Sequence, residues 1–150
     1  DKRLLAWLGD DELLQQAGLG VDDRSHLRQT IPATEVVEPA AADDLWQRRK
    51  SLFFKPVDGF GSKAAYRGDK LTRTTFEQIL AHRYVAQALA PTSFRRIQST
   101  DGAEADLRVD VRNYTMHGAT WLRAARLYRG QTTNFRTVGG GFAPVLTLPA

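Results

Sequence analysis

Residues 51–66 read Ser51-Leu52-Phe53-Phe54-Lys55-Pro56-Val57-Asp58-Gly59-Phe60-Gly61-Ser62-Lys63-Ala64-Ala65-Tyr66. Their opening is a short apolar run stopped by Pro56, the pattern of a buried strand. Gly59 and Gly61 then give a flexible loop, and Ala64-Ala65-Tyr66 return as the second arm of a hairpin. A loop that folds over phosphates needs residues without a Cβ, because its N–H groups must approach the oxygens closely. Lys55, with a packed stem and its ammonium at the strand end, supplies a fixed positive charge for the same oxygens. The spacing is neither the Walker A pattern nor the dinucleotide-binding one. A hairpin turn that needs positive φ is the simpler reading of the same glycines.

On the N-terminal side, Leu4, Leu5 and Leu8 sit at helical spacing. Asp10 caps a second helix bearing Leu13 and Leu14, ended by Gly18 and Gly20. The β-branched residues of Ile31 to Val37 predict a short strand. Pro39 to Ala42 form a small-residue loop, and Asp43 or Asp44 opens a helical turn running through Trp46 to Lys50. On the C-terminal side, Thr74 and Glu77 read as a capping-box pair before Phe76, Ile79 and Leu80, one face of a helix. Tyr84-Val85-Ala86-Gln87 predicts another short strand, and Arg95-Arg96 after Pro91 a solvated bend. Leu107, Val109 and Val111 alternate with Arg108, Asp110 and Arg112. His117-Gly118 turns that strand into a second one, Ala119 to Tyr128, before a glycine loop at 139–141 and a final segment from Phe142. The order of elements indicates α+β with mainly antiparallel pairing.

The 150 residues suit one compact domain or two small lobes. With no Cys, the sequence offers no thiolate nucleophile, disulfide or Cys-based metal site. No stretch approaches the roughly 20 apolar residues of a membrane-spanning helix, so no membrane partner is expected. The start lacks a signal pattern and a Met, from which we expect a piece of a longer, cytoplasmic chain. Residues 1–44 carry 4 Lys/Arg against 10 Asp/Glu, and residues 45–150 carry 17 against 7. A basic part beside an acidic one suggests an anionic partner for the second.

Basic residues concentrate after residue 107, where six Arg accompany the single acid Asp110. Arg112, Arg123 and Arg129 read as a solvated face. Arg108 differs, because Asp110 shares its face and is placed to orient its guanidinium. Three successive glycines beside Asn134 and Thr137 suggest a backbone lining a ligand. His26, His82 and His117 lie far apart without metal-ligand spacing, and Ser62 and Ser93 show no nucleophile elbow. Trp7, Trp46 and Trp121 read as packing residues.

In this order the motifs resemble an ATP-grasp domain of the circularly permuted type related to glutathionylspermidine synthase. The resemblance covers nearly the whole chain. Asp1-Lys2 before the Leu-rich helix resembles the family's first nucleotide-binding Lys, and Ile31-Pro32-x-Thr34 its following loop and strand. Phe54-Lys55-Pro56 with the 58–63 loop resembles the second Lys and the flexible loop over the phosphates. Tyr84-Val85-Ala86-Gln87 is similar to the linker strand whose backbone pairs with adenine, and Leu107-Arg108 through Arg126 to Asn134 resembles the second lobe's hairpin.

The resemblance implies a nucleotide between two lobes: a first lobe of about 1–83, a linker of about 84–98 and a second-lobe hairpin and glycine loop at 99–150. It implies ATP held by Lys2, Lys55, Gly59, Gly61, Ser62, Tyr84, Val85, Ala86, Gln87 and Asn134, with Arg108 and Arg126 as catalytic cations. In such enzymes ATP activates a carboxylate as an acylphosphate, which an amine then attacks. Lys, Arg, backbone N–H groups and Mg²⁺ are the parts phosphoryl transfer needs. The family's Glu-x-Asn metal pair is missing, so no metal ligand is assigned and Mg²⁺ ligands are expected outside this piece. The piece alone is then expected to be inactive. An ATP-binding protein without ligase activity is an alternative. A nucleic-acid-binding module is another, with Tyr114, Trp121 and Tyr128 interleaved among the basic residues, but it leaves the glycine loops unexplained.

Overall fold

A computed structural model describes residues 1–59, 63–98, 102, 104–130, 135 and 139–146. These residues form two compact units, 1–90 and 91–150, each with a four-stranded antiparallel sheet. The mixed α+β class expected from the sequence is what forms. The stretch 84–98, expected as a linker, contributes a strand to each unit.

The first unit begins with helices α1 (Arg3–Trp7), α2 (Asp11–Gln16) and α3 (Val21–Thr30). Asp10 caps α2 as expected, its carboxylate accepting from the Leu13 N–H at 3.1 Å. Strand β1 (Thr34–Val36) follows, then α4 (Ala42–Arg48), β2 (Leu52–Pro56), β3 (Tyr66–Arg67), α5 (Arg73–Leu80) and β4 (Tyr84–Ala88). The sheet order is β1-β4-β2-β3, so the last strand in sequence is an inner one. The expected hairpin is present, with Phe54 opposite Tyr66 and Phe53 opposite Arg67. The cap of α5 is corrected: Thr72, not Thr74, accepts from the Thr75 N–H, and Thr74 lies inside the helix.

Antiparallel register divides the first sheet's side chains between two faces. Leu52, Phe54, Tyr84 and Ala86 share one face and form the core with Leu45 of α4 and Phe76 and Ile79 of α5. Phe76 meets Phe54 edge-on at 5.9 Å and Trp46 at 5.2 Å, offsets that aromatic quadrupoles favour. The other face carries Phe53, Lys55, Val85, Gln87 and Thr34. The helices thus cover one side of the sheet and leave the polar residues of β1, β2 and β4 on the other.

The second unit contains β5 (Ser93–Gln98), β6 (Glu104–Met116), β7 (Ala119–Tyr128) and β8 (Gly141–Pro144), paired in that order. His117 and Gly118 make the two-residue turn with φ of 51° and 77°, the positive values that the twist of a tight hairpin requires. Two expectations are corrected here. Arg95 and Arg96 are strand residues of β5, paired with Leu107 and Asp106, not a bend. Of the three Trp, only Trp46 packs on a core; Trp7 and Trp121 are 49% and 71% exposed.

Candidate anion site

Two ammonium groups gather at the end of β2. Lys2, just before α1, donates from Nζ to the carbonyl oxygens of Pro56 (2.8 Å), Val57 (3.5 Å) and Gly59 (3.0 Å). Its backbone N–H also donates to Val57 O at 3.1 Å. Lys55 donates from Nζ to Gln87 Oε1 at 2.5 Å and lies 5.5 Å from the centroid of the Phe53 ring. Burial pushes the Lys55 ammonium below the ordinary lysine value, and the Lys2 charge pushes it further the same way.

Every hydrogen-bond partner of the two lysines among the described residues is a neutral oxygen. The acids near them in sequence are engaged elsewhere. Asp1 pairs with Arg3 at 2.5 Å and lies 3.8 Å from Arg83, whose other nitrogen is 3.5 Å from Asp58. The Lys2 charge is close enough to act on Lys55, and among the described residues neither ammonium pairs with a carboxylate. Among the described residues, Lys55 has one acceptor, Gln87, for its three N–H donors, which leaves two N–H groups for a ligand.

The loop after β2 is tied at both ends. Lys2 holds the carbonyls at its entrance, and the Tyr84 hydroxyl donates to Ala64 O at 3.0 Å at its exit. Burial raises the Tyr84 phenol above its ordinary value, which keeps that donor protonated. Gly59 has φ of 106° with nothing within 4 Å of where a Cβ would stand. Its glycine is required by backbone conformation rather than by crowding. Gly61 and Ser62 lie outside the described residues.

Strand β4 holds the largest departure from the expected site. Its residues pair with β1 through Val85, Ala86 and Gln87 and with β2 from Tyr84 to Ala88. Both edges of the strand are occupied, and the expected pairing of adenine with the backbone of Tyr84, Val85, Ala86 and Gln87 has no open edge there. The side chains matter instead. Gln87, 7% exposed, accepts from Lys55 and donates from Nε2 to Thr34 Oγ1 at 2.8 Å. Thr34 in turn donates to Pro32 O at 2.8 Å. Thr34 and the Tyr84 hydroxyl were not separable from ordinary strand residues in the sequence, because their partners are 53 and 20 positions away.

In the second unit, Arg108 and Arg126 share the sheet face that also bears Asp110 and Arg112. Asp110 grips Arg126 through both oxygens, at 2.5 and 2.9 Å. The expected Asp110–Arg108 pair is thus replaced. Arg108 donates to Thr92 Oγ1 at 2.8 Å and its guanidinium carbon sits 4.9 Å from the centroid of the Phe94 ring. Arg112, Arg123 and Arg129 are exposed as expected. Asn134 lies outside the described residues. No group of three or more His, Asp or Glu suited to a metal occurs among the described residues. These residues do not supply a Mg²⁺ cage.

Compared with known proteins, the chain matches no family model, no curated protein and no solved structure. No described helix is long and apolar enough to cross a membrane.

Proposed function

We propose that the first unit binds the phosphates of ATP, as part of an ATP-grasp ligase that joins a carboxylate to an amine through an acylphosphate. The observation that carries the reading is the lysine pair at the end of β2, whose hydrogen-bond partners are all neutral. Holding two such charges together costs free energy that a polyanion recovers on binding. Lys55 makes the direct contact through its two remaining N–H groups. Lys2 braces the loop through three carbonyls and adds its field. The roles of Arg108 and Arg126 as catalytic cations, and of Mg²⁺, rest on the resemblance of the motif order alone.

A nucleic-acid reading has one supporting observation. Register places Phe94, Arg108, Arg112, Tyr114 and Phe142 on one sheet face of the second unit. Half of the cations on that face are neutralised, because Arg96 pairs with Asp106 and Arg126 with Asp110, which leaves Arg108 and Arg112. Phosphate binding by the lysine pair is the better supported of the two.

Substitution of two lysines tests it. Lys55 is fixed by β2, Pro56 and Gln87, whereas Lys63 is exposed and not in an ion pair among the described residues. A fixed cation contributes a charge-assisted hydrogen bond of about 1.5–3 kcal/mol to a bound phosphate. Lys55→Met therefore lowers ATP affinity by more than about tenfold in calorimetric titration. Lys63→Met changes it by less than about fivefold, with circular dichroism unchanged in both. Equal effects, or none from Lys55→Met, overturn the reading.

A further inference from the structure

We propose that Gln87 is a positioning residue for Lys55: its buried amide orients the ammonium and, being neutral, leaves that positive charge available to a polyphosphate. The inference rests on the phosphate reading only for the identity of the ligand.

Gln87 is the one buried polar or charged residue among the described residues. A buried amide is costly unless bonded, and here both ends are used. Oε1 accepts from Lys55, and Nε2 donates to Thr34 Oγ1. The Thr34 hydroxyl gives its one proton to Pro32 O, so it can only accept from Gln87. That fixes the amide's orientation: nitrogen to Thr34, oxygen to Lys55. The line Pro32–Thr34–Gln87–Lys55 crosses three adjacent strands, β1, β4 and β2, and each link determines the next.

The neutrality of Gln87 has its own consequence. A glutamate at this position would reach the same ammonium through the same number of bonds and cancel its charge. Among the described residues, no other group on the surrounding elements does so. Across β4 the residue opposite Lys55 is Val85. On β3 the same-face residue is Arg67, which faces Asp69, and from the N-terminal segment the facing charge is Lys2. Glu35 of β1 lies on the opposite face and binds Arg48. The amide thus steers Lys55 without consuming what an anion would bind.

Two substitutions in the full chain separate positioning from mere packing. The readouts are the pH midpoint of Lys55 acylation, followed by mass spectrometry without ligand, and the affinity for inorganic tripolyphosphate. Gln87→Glu raises the midpoint, because a carboxylate favours the ammonium. Gln87→Leu lowers it, because the ammonium loses its acceptor. In Gln87→Glu the tripolyphosphate affinity falls about tenfold or more, with the fold retained by circular dichroism. Opposite shifts of the midpoint support the proposal, and shifts in one direction only, or none, overturn it. Opposite shifts in a protein whose wild type ignores tripolyphosphate and ATP uphold Gln87 as the positioning residue and reject the phosphate reading. Should Gln87→Leu not fold, a Gln87→Glu midpoint equal to wild type is sufficient to overturn the proposal.

Discussion

Among the described residues, the three N–H groups of the Lys2 ammonium meet three carbonyl oxygens, whereas the Lys55 ammonium meets one amide oxygen. The first arrangement braces a backbone; the second leaves donors unused. Because the folded protein disfavours the charged form of Lys55, the unfolded chain binds more protons in the window below the ordinary lysine value. The Lys55 contribution to stability therefore increases as pH rises through that window, from the depressed folded value up to the ordinary one. On the proposed phosphate reading, affinity responds in the other direction, since binding needs the ammonium. We expect ATP affinity to decline on raising pH at a lower midpoint than an ordinary lysine would give, and this decline to vanish in Lys55→Met. Titrations across alkaline pH check both. Lys55 was legible in the sequence because an apolar run and Pro56 flank it. The partner that orients it was not, being 32 residues distant. Asp110 was legible as an orienting acid, but alternation alone could not choose between Arg108 on its own strand and Arg126 across the hairpin.

Hairpins and amphipathic helices follow local rules, and those elements were readable: α2 with its Asp10 cap, the β2–β3 hairpin, and β6–β7 with its His117-Gly118 turn. Helix α3 was not, because it buries no residue and so shows no apolar stripe. It is held by polar contacts, Arg24 and Arg28 to Asp11 and Gln29 to Ser25. The missed signal was Asp22 and Asp23 in its first turn and Arg28 in its last, matching the helix dipole. Strand β5 escaped for a related reason: Ser93 to Gln98 are exposed apart from the half-buried Ile97, and pairing with β6 makes them a strand. Between β3 and α5 the short 3₁₀ turn Gly68–Lys70 packs against the turn Arg49–Ser51. A Cβ at Gly68 would stand 1.9 Å from Arg49 O and 3.0 Å from Leu52 O, both backbone atoms. Gly68→Ala must therefore push the two turns apart. The expected loss is about 1–3 kcal/mol or more, measured by urea unfolding.

Two sheets, each antiparallel, account for the whole chain's class, and that much was readable from strand order and turn chemistry. The position of β4 was not. Its pairing of Gln87 with Thr34 and of Ala88 with Leu52 joins residues distant in sequence, and no local pattern encodes such pairs. Val85 and Ala86 are fully buried, so β4 is an inner strand in packing as well as in hydrogen bonding. During synthesis β1, β2 and β3 are made before it. Until β4 arrives, β1 has no neighbour in the sheet, β2 has one bare edge, and Leu52 and Phe54 lack the strand that completes their layer. Long-range pairing of this kind is slow to form and exposed to wrong partners. Ribosome-bound chains that expose residues 1–83 should remain sensitive to protease, and those that expose 1–90 should become resistant. Resistance already present at residue 83 would show that the sheet closes without its last strand. The order in which the ribosome delivers the strands thus makes residues 84–88 the step that commits the nascent first unit to its fold.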